Sequence, residues 1–260
     1  HELLLFSEGQ YEEREWWNAK DASGFQWVPE PYRDEPIEWS PVRSLATGEV
    51  KWAPSATVYL GFEGTGGRLC RGDSNGLASG NSLEEAILQG FLELVERDAV
   101  AIWWYNRAIR PGVDLSSFDL ELVSRTAALY PTLSRNLWVL DLTTDLGIPT
   151  FAALSALADG PRDEIIFGFG AHLDPEIALL RALSELNQML PTILPTPEER
   201  RDQLLPEFED AVLWWEHETL DGHPYLPPDF ARPFRTRQDF PTPAFRDLLE
   251  AVEDCVDRGS

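Results

Sequence analysis

The segment from Ser74 to Asn106, SNGLASGNSLEEAILQGFLELVERDAVAIWWYN, constrains the fold more than any other part of the chain. At about 100° per residue, Ser82, Glu85, Gln89, Glu93, Glu96 and Arg97 fall within an arc of roughly 120°, with Ile87, Leu88, Phe91, Leu94, Val95 and Ala99 opposite. This predicts a long amphipathic helix that begins near Ser82 and ends before Pro111. Glutamates at i,i+3 and i,i+4 spacing on one stripe repel by a few tenths of a kcal/mol per pair unless a cation sits among them, which points to a metal. Ser82 and Glu85 have a second reading, since Ser-x-x-Glu is also the signature of a helix capping box.

The rest of the composition narrows the function classes. With 260 residues and 43% hydrophobic content, the chain can bury one substantial core, with or without a small lobe. A formal charge of −24, from 45 acidic and 21 basic side chains with no basic run, argues against a nucleic-acid surface. It suits solubility, a cationic peptide or divalent ions. Cys70 and Cys255 are too few and too far apart for a zinc site or disulfide framework, and fit a reducing cytoplasm. No apolar run approaches a membrane span, and HELLLFSEGQ lacks the basic region of a secretory signal, so a cytoplasmic location with no membrane partner is expected. A first residue of His and a stop just after an amphipathic helix at 243–256 are expected of a piece cut at both ends from a longer protein.

Along the chain, EWSPVRSLATGEVKWAPSA reads as two short strands around Thr47-Gly48, and TVYLGFE at 57–63 as a further strand. A connecting helix is expected near 120–130. Three short apolar runs, at 137–143, 150–157 and 164–172, read as central strands of one sheet. A second long helix opens at Asp174-Pro175-Glu176, with Asp as N-cap, and should run to Leu190 before Pro191. The Pro-rich stretch 191–242, with one helix around 205–219, reads as a peripheral excursion.

On the second helix Arg181, Glu185 and Gln188 share an arc of about 60°, opposed by Leu179, Leu183, Leu186 and Leu190. Arg181 and Glu185 could be no more than a surface ion pair. Alternatively, a carboxylate and an amide facing the first stripe would supply oxygen ligands for Mg2+, with Arg97 and Arg181 balancing phosphate charge. No GxxxxGK[ST] loop and no GxGxxG before a helix is present. Phe167-Gly168-Phe169-Gly170 is better read as close packing than as a phosphate loop. His172 reads as structural, and Trp103, Trp104 and Tyr105 as core. No Ser-His-Asp order or G-x-S-x-G elbow is found, and no general base can be singled out.

Together SNGLASGNSLEEAILQGFLELVERDAVAIWWYN, LWVLDLTTDLGIPTFAAL and FGFGAHLDPEIALLRALSELNQ, with HELLLFSEGQYEER at the start, resemble the YcaO superfamily. The ExxER and RALxExxQ motifs place the chain nearest its cyclodehydratases, of the cyanobactin and thiazole/oxazole-modified microcin type. The resemblance implies an α/β YcaO-type core over 1–260, with mixed or antiparallel sheets packed by long helices. It implies ATP and Mg2+ as cofactors, and the conversion of Cys, Ser or Thr in a ribosomal precursor peptide to thiazoline or oxazoline by phosphorylation of the backbone amide. Glu93, Glu96, Glu185 and Gln188 match the metal positions. Ser82, Arg97 and Arg181 join them in holding the nucleotide. A leader-binding partner protein or fused domain is implied, and a homodimer is compatible. The chain departs from the family pattern at Ala78-Ser79-Gly80-Asn81, where many members carry a basic Gly-Lys-Gly-like stretch, and Pro241-Thr242-Pro243 is not the family's proline-rich tail. Thioamide or amidine formation by the same activation, and a non-catalytic docking scaffold, are the alternatives.

Overall fold

The computed structural model describes residues 6–20, 28–32, 36–70, 72–159, 161–195 and 209–259. They form two units, one ending at Leu77 and one beginning at Ala78. In the first, helices α1 (Glu8–Glu12) and α2 (Arg14–Lys20) precede an antiparallel pair, β1 (Trp39–Arg43) and β2 (Val50–Pro54), in which Pro41 faces Trp52. Gly48 turns the hairpin at φ +71°, as Thr47-Gly48 predicts. The strand expected at 57–63 is absent: Ser55–Val58 is a short helix, α3. The Thr57 hydroxyl donates to the Pro54 carbonyl and Ser55 pairs with the Ser40 hydroxyl, so local side-chain bonds end the strand, and Gly61 then turns the chain at φ +70°.

The second unit carries the candidate site residues. Its elements are α4 (Leu83–Asn106), α5 (Glu121–Thr132), β3 (Arg135–Asp141), β4 (Thr150–Leu157), β5 (Ile166–Ala171), α6 (Pro175–Ile193), α7 (Glu209–His217) and α8 (Leu248–Arg258). The sheet is antiparallel in the order β3-β4-β5, so β5 is an edge strand. Alternate residues of β4 face different layers. Phe151 and Ala153 pack with Val123 and Tyr130 of α5 and with Leu179, Leu183 and Leu186 of α6. Ala152, Leu154 and Ala156 pack with Ala99 and Trp103 of α4. The helices α4 and α6 therefore cover opposite faces of the sheet. Leu88, Leu92 and Val95 of α4 make a further cluster with Ala251, Val252 and Cys255 of α8. Among the described residues no helix is long and apolar enough to cross a membrane.

Some expected elements shift. Helix α6 runs through Pro191 to Ile193, because proline lacks only one helix donor and the last turn absorbs it. Of the helix expected at 205–219, residues 205–208 lie outside the described residues, and Glu209–His217 is helical. The stretch expected as a peripheral excursion sends Trp215 and Phe240 into one core cluster and Tyr225 and Leu226 into another, with Trp103 Nε1 donating to the Tyr225 carbonyl at 3.3 Å.

Candidate functional site

Helix α4 is started by Ser82, whose Oγ accepts the Glu85 N–H at 3.2 Å. The other half of the expected capping box moves by one residue: the Glu85 carboxylate accepts from the Asn81 N–H at 2.7 Å and from its side-chain amide at 3.0 Å. Both side chains thus satisfy donors at the helix entrance. The buried face of α4 is Leu88, Leu92, Val95, Ala99 and Trp103. Leu94, expected on that face, is 48% exposed. The burial is rotated toward the polar stripe: Glu96 lies about 40° around the helix from Leu92, Glu93 about 100° and Arg97 about 140°. Glu96 is therefore drawn to the edge of the core, whereas Arg97, 54% exposed, pairs along the helix with Glu93 at 3.8 Å.

Across the sheet, α6 sits on β5 at almost the closest approach two backbones allow. A Cβ at Gly168 would lie 2.2 Å from the Leu186 nitrogen and 2.3 Å from the Ala182 carbonyl oxygen; one at Gly170 would lie 2.3 Å from the Ala178 oxygen. The Phe-Gly-Phe-Gly run is thus a packing surface, with its glycines under Ala178 and Ala182 of the helix and its phenylalanines facing α4. Phe167 and Phe169 stack at 6.3 Å and 9°, and Trp104 and Trp214 cover Phe167.

The edge of β5 is where the polar residues meet. Opposite Ala152, Phe169 turns its N–H away from the sheet, and Glu185 Oε2 accepts it at 2.6 Å. Glu96, from α4, lies beside the next outward N–H, that of Ala171, close enough for that N–H to favour its charged form. Arg181 donates to the Ala171 carbonyl at 3.2 Å and to Gln89 Oε1 at 2.6 Å, joining α6, β5 and α4. The surface ion pair between Arg181 and Glu185 is replaced by these contacts. Glu96 is pushed up to about 7, first by burial and then by the negative charge of Glu185; Arg97, the Ala171 N–H and Arg181 act the other way. Burial also pushes Arg181 down, opposed by Glu96.

The fold therefore brings Glu96, Arg181 and Glu185 together. Glu93 and Arg97 stand one step toward solvent, Gln188 is exposed at the outer side of α6, and Ser82 caps the helix start. Gln89, present in the stripe but given no role from sequence, is the residue that joins the two helices. Its signal was its place between Glu85 and Glu93. His172 behaves as a structural residue: its Nδ1 accepts the Asp174 N–H at 2.9 Å, and burial and Arg181 both push its pKa down. Trp103 is buried and Tyr105 is 77% exposed.

Two nearby carboxylates whose repulsion raises Glu96 form an oxygen donor set suited to a hard divalent cation, and the adjoining arginine suits an anion bridged to it. The architecture is that of an α/β core, an antiparallel sheet between long helices, with Glu96, Glu185 and Arg181 gathered at its β5 edge. Residues 1–259 match the family described as YcaO cyclodehydratase, ATP- and Mg2+-binding, and the chain belongs to that family. It is similar to a heterocyclase solved in complex with substrate and cofactor (46% identity, 98% of this chain and 34% of that one, TM-score 0.87). It is similar also to the heterocyclase TruD (43% identity, 98% and 35%, TM-score 0.84). YcaO of Methanopyrus kandleri, solved with AMPPCP and Mg2+, is 28% identical over 89% of this chain and 59% of that one, with TM-score 0.62. The chain spans about half the length of the curated relatives it matches.

Proposed function

We propose that the protein carrying this chain is an ATP- and Mg2+-dependent cyclodehydratase that forms thiazoline or oxazoline rings in a ribosomal precursor peptide. The observation that carries this reading is the approach of Glu96 and Glu185, from opposite faces of the sheet, to one strand edge, where Glu185 accepts the Phe169 N–H and Glu96 lies close enough to feel the charge of Glu185. Each keeps lone pairs free for a cation. Among the described residues no three His, Cys, Asp or Glu side chains close around one point. Mg2+ takes few protein ligands and completes its shell with phosphate oxygens and water. Glu96 and Glu185 would hold the ion most directly, with Glu93 and Gln188 on the outer side. Arg181, Arg97 and the Ser82 end of α4 would border the nucleotide. The bound ion would neutralise charge on the phosphates.

The chemistry asked of the site is positioning and charge stabilisation. A Cys, Ser or Thr side chain adds to the preceding amide carbon, and the resulting oxygen takes the terminal phosphoryl group of ATP, releasing ADP. The carbon–oxygen bond then breaks, phosphate leaves, the nitrogen gives up its proton, and the C=N bond of the azoline remains. A leader-binding protein or fused domain would present the peptide.

The test is to incubate the full-length protein with a precursor peptide, its leader-binding component and Mg·ATP, and to follow peptide mass. Loss of one water mass per ring, matched by ADP release and abolished in Glu96→Gln and Glu185→Gln, is expected. A mass change of oxygen replaced by sulfur would reassign the product to thioamide chemistry. Failure of the parent to bind Mg·ATP would remove the reading.

A further inference from the structure

The two arginines of the polar stripes are held in opposite ways. Arg97 is more than half exposed and faces the carboxylate of Glu93 at 3.8 Å, so its charge is partly neutralised and its side chain is loosely held. Arg181 is half-buried, and both of its hydrogen bonds end on neutral oxygens: the Ala171 carbonyl at 3.2 Å and Gln89 Oε1 at 2.6 Å. Its guanidinium is fixed on two elements, β5 and α4, without a carboxylate in contact. Glu96 acts on it only through space. The greater part of its N–H donors remain open.

We infer that Gln89 is a positioning residue for Arg181, and that an uncharged acceptor at position 89 keeps the arginine's positive charge available to a polyphosphate. This rests on the reading of the Glu96–Glu185 centre as a metal–nucleotide site. Glutamine reaches the guanidinium from α4 and orients it, as a glutamate would, but leaves the charge in place. A glutamate at the same distance would make a charge-assisted pair and add another carboxylate beside Glu96, raising the negative potential where the phosphates enter. A side chain with no acceptor would leave Arg181 tied to β5 alone. The residue acts through Arg181, so the effect of removing its acceptor should vanish when Arg181 is gone.

The experiment is a calorimetric titration of Mg·ATP into the full-length protein and into Gln89→Glu, Gln89→Met, Arg181→Met and the two double variants, with melting curves without nucleotide to verify folding. Gln89→Glu should weaken binding about tenfold or more, and Gln89→Met by a smaller factor. The Gln89→Met loss should disappear in the Arg181→Met background, a non-additivity that general damage to the helix would not produce, whereas the added charge of Gln89→Glu should still weaken binding there. Unchanged affinity in Gln89→Glu, or an equal loss from Gln89→Met with and without Arg181, would overturn the inference. So would full affinity in Arg181→Met, which leaves the metal–nucleotide reading intact. A parent protein that binds no Mg·ATP would reject that reading and this inference with it.

Discussion

Glu185 accepts the Phe169 N–H at 2.6 Å, while the carboxylate of Glu96, from the helix on the other face of the sheet, lies beside the N–H of Ala171 two residues along the same strand and is raised in part by the charge of Glu185. An exposed sheet edge is a row of unpaired donors and acceptors that invites wrong pairing, and charged side chains are a common way to close it. Here the residues that close it are also the strongest candidates to hold the cation. The strand therefore sets the separation of the two carboxylates, and any movement of β5 against α4 or α6 changes the donor set.

The coupling has a pH signature in the metal-free protein. Glu96 is raised from the ordinary 4.5 to about 7, so the folded state binds this proton more tightly than the unfolded chain does. Its stabilising contribution is fully present below the unfolded value and is lost as pH rises from there to about 7. The stake is on the order of 2 kcal/mol after allowance for solvent screening. Urea midpoints measured in chelator at about pH 5 and about pH 8 should fall with rising pH, and less steeply in Glu96→Gln. Parallel slopes in both proteins would show that Glu96 titrates at an ordinary value.

Gly168→Ala should be severe for a residue that touches no ligand. The new Cβ would meet backbone atoms of Ala182 and Leu186 at 2.3 and 2.2 Å, and a helix backbone cannot rotate aside as a side chain can. Helix α6 must lift from β5, at a cost of about 3 kcal/mol or more, carrying Glu185 off the Phe169 N–H. Chemical denaturation and Mg·ATP titration should fail together. A stable variant with parental affinity would mean that the helix–strand contact is looser than described.

Much of this was legible in the sequence because burial periodicity is a local property. The three apolar runs became β3, β4 and β5, and Asp174-Pro175 began α6. The stripes set Glu96 and Glu185 on two helices that the structure does bring together, and the ExxER and RALxExxQ motifs pointed to the family. What periodicity could not supply is rotation. It treats Glu93, Glu96 and Arg97 alike, although packing against β4 and α8 draws in Leu92 and leaves Leu94 in solvent, so Glu96 is turned toward the strand. On α6 the small residues Ala178 and Ala182 decide which side meets Gly168 and Gly170, turning Glu185 inward and Gln188 outward. The strand misread at 57–63 failed differently: hydroxyl-to-backbone bonds at Ser55 and Thr57 outweighed a β-rich composition.

Ser82 separates a cap from a ligand. Its Oγ already accepts the Glu85 N–H at 3.2 Å, so Ser82→Ala should cost about 1 kcal/mol in stability, and Ser82→Gly only a few tenths. If Ser82 also borders the nucleotide, both variants should weaken Mg·ATP binding equally, since neither has a hydroxyl. Thermal melting and calorimetry on the same samples will distinguish the roles. Parental affinity in both variants would confine Ser82 to capping.

Glu185 allows its two roles to be pulled apart in one position. In Glu185→Gln the amide oxygen can still accept the Phe169 N–H, so the edge stays closed and stability should remain near that of the parent. In Glu185→Ala that N–H loses its acceptor, at a cost of about 1–3 kcal/mol if water cannot replace it. Both variants lose the negative charge facing Glu96, so both should relax the Glu96 pKa toward the ordinary range and bind Mg·ATP about 10–100-fold more weakly. Glu185→Gln should therefore be a stable protein with a damaged site, and Glu185→Ala an unstable one with the same damage. Equal stability of the two would show that the bond to Phe169 contributes little to the fold. Parental Mg·ATP affinity in Glu185→Gln would remove this carboxylate from the cation's ligands.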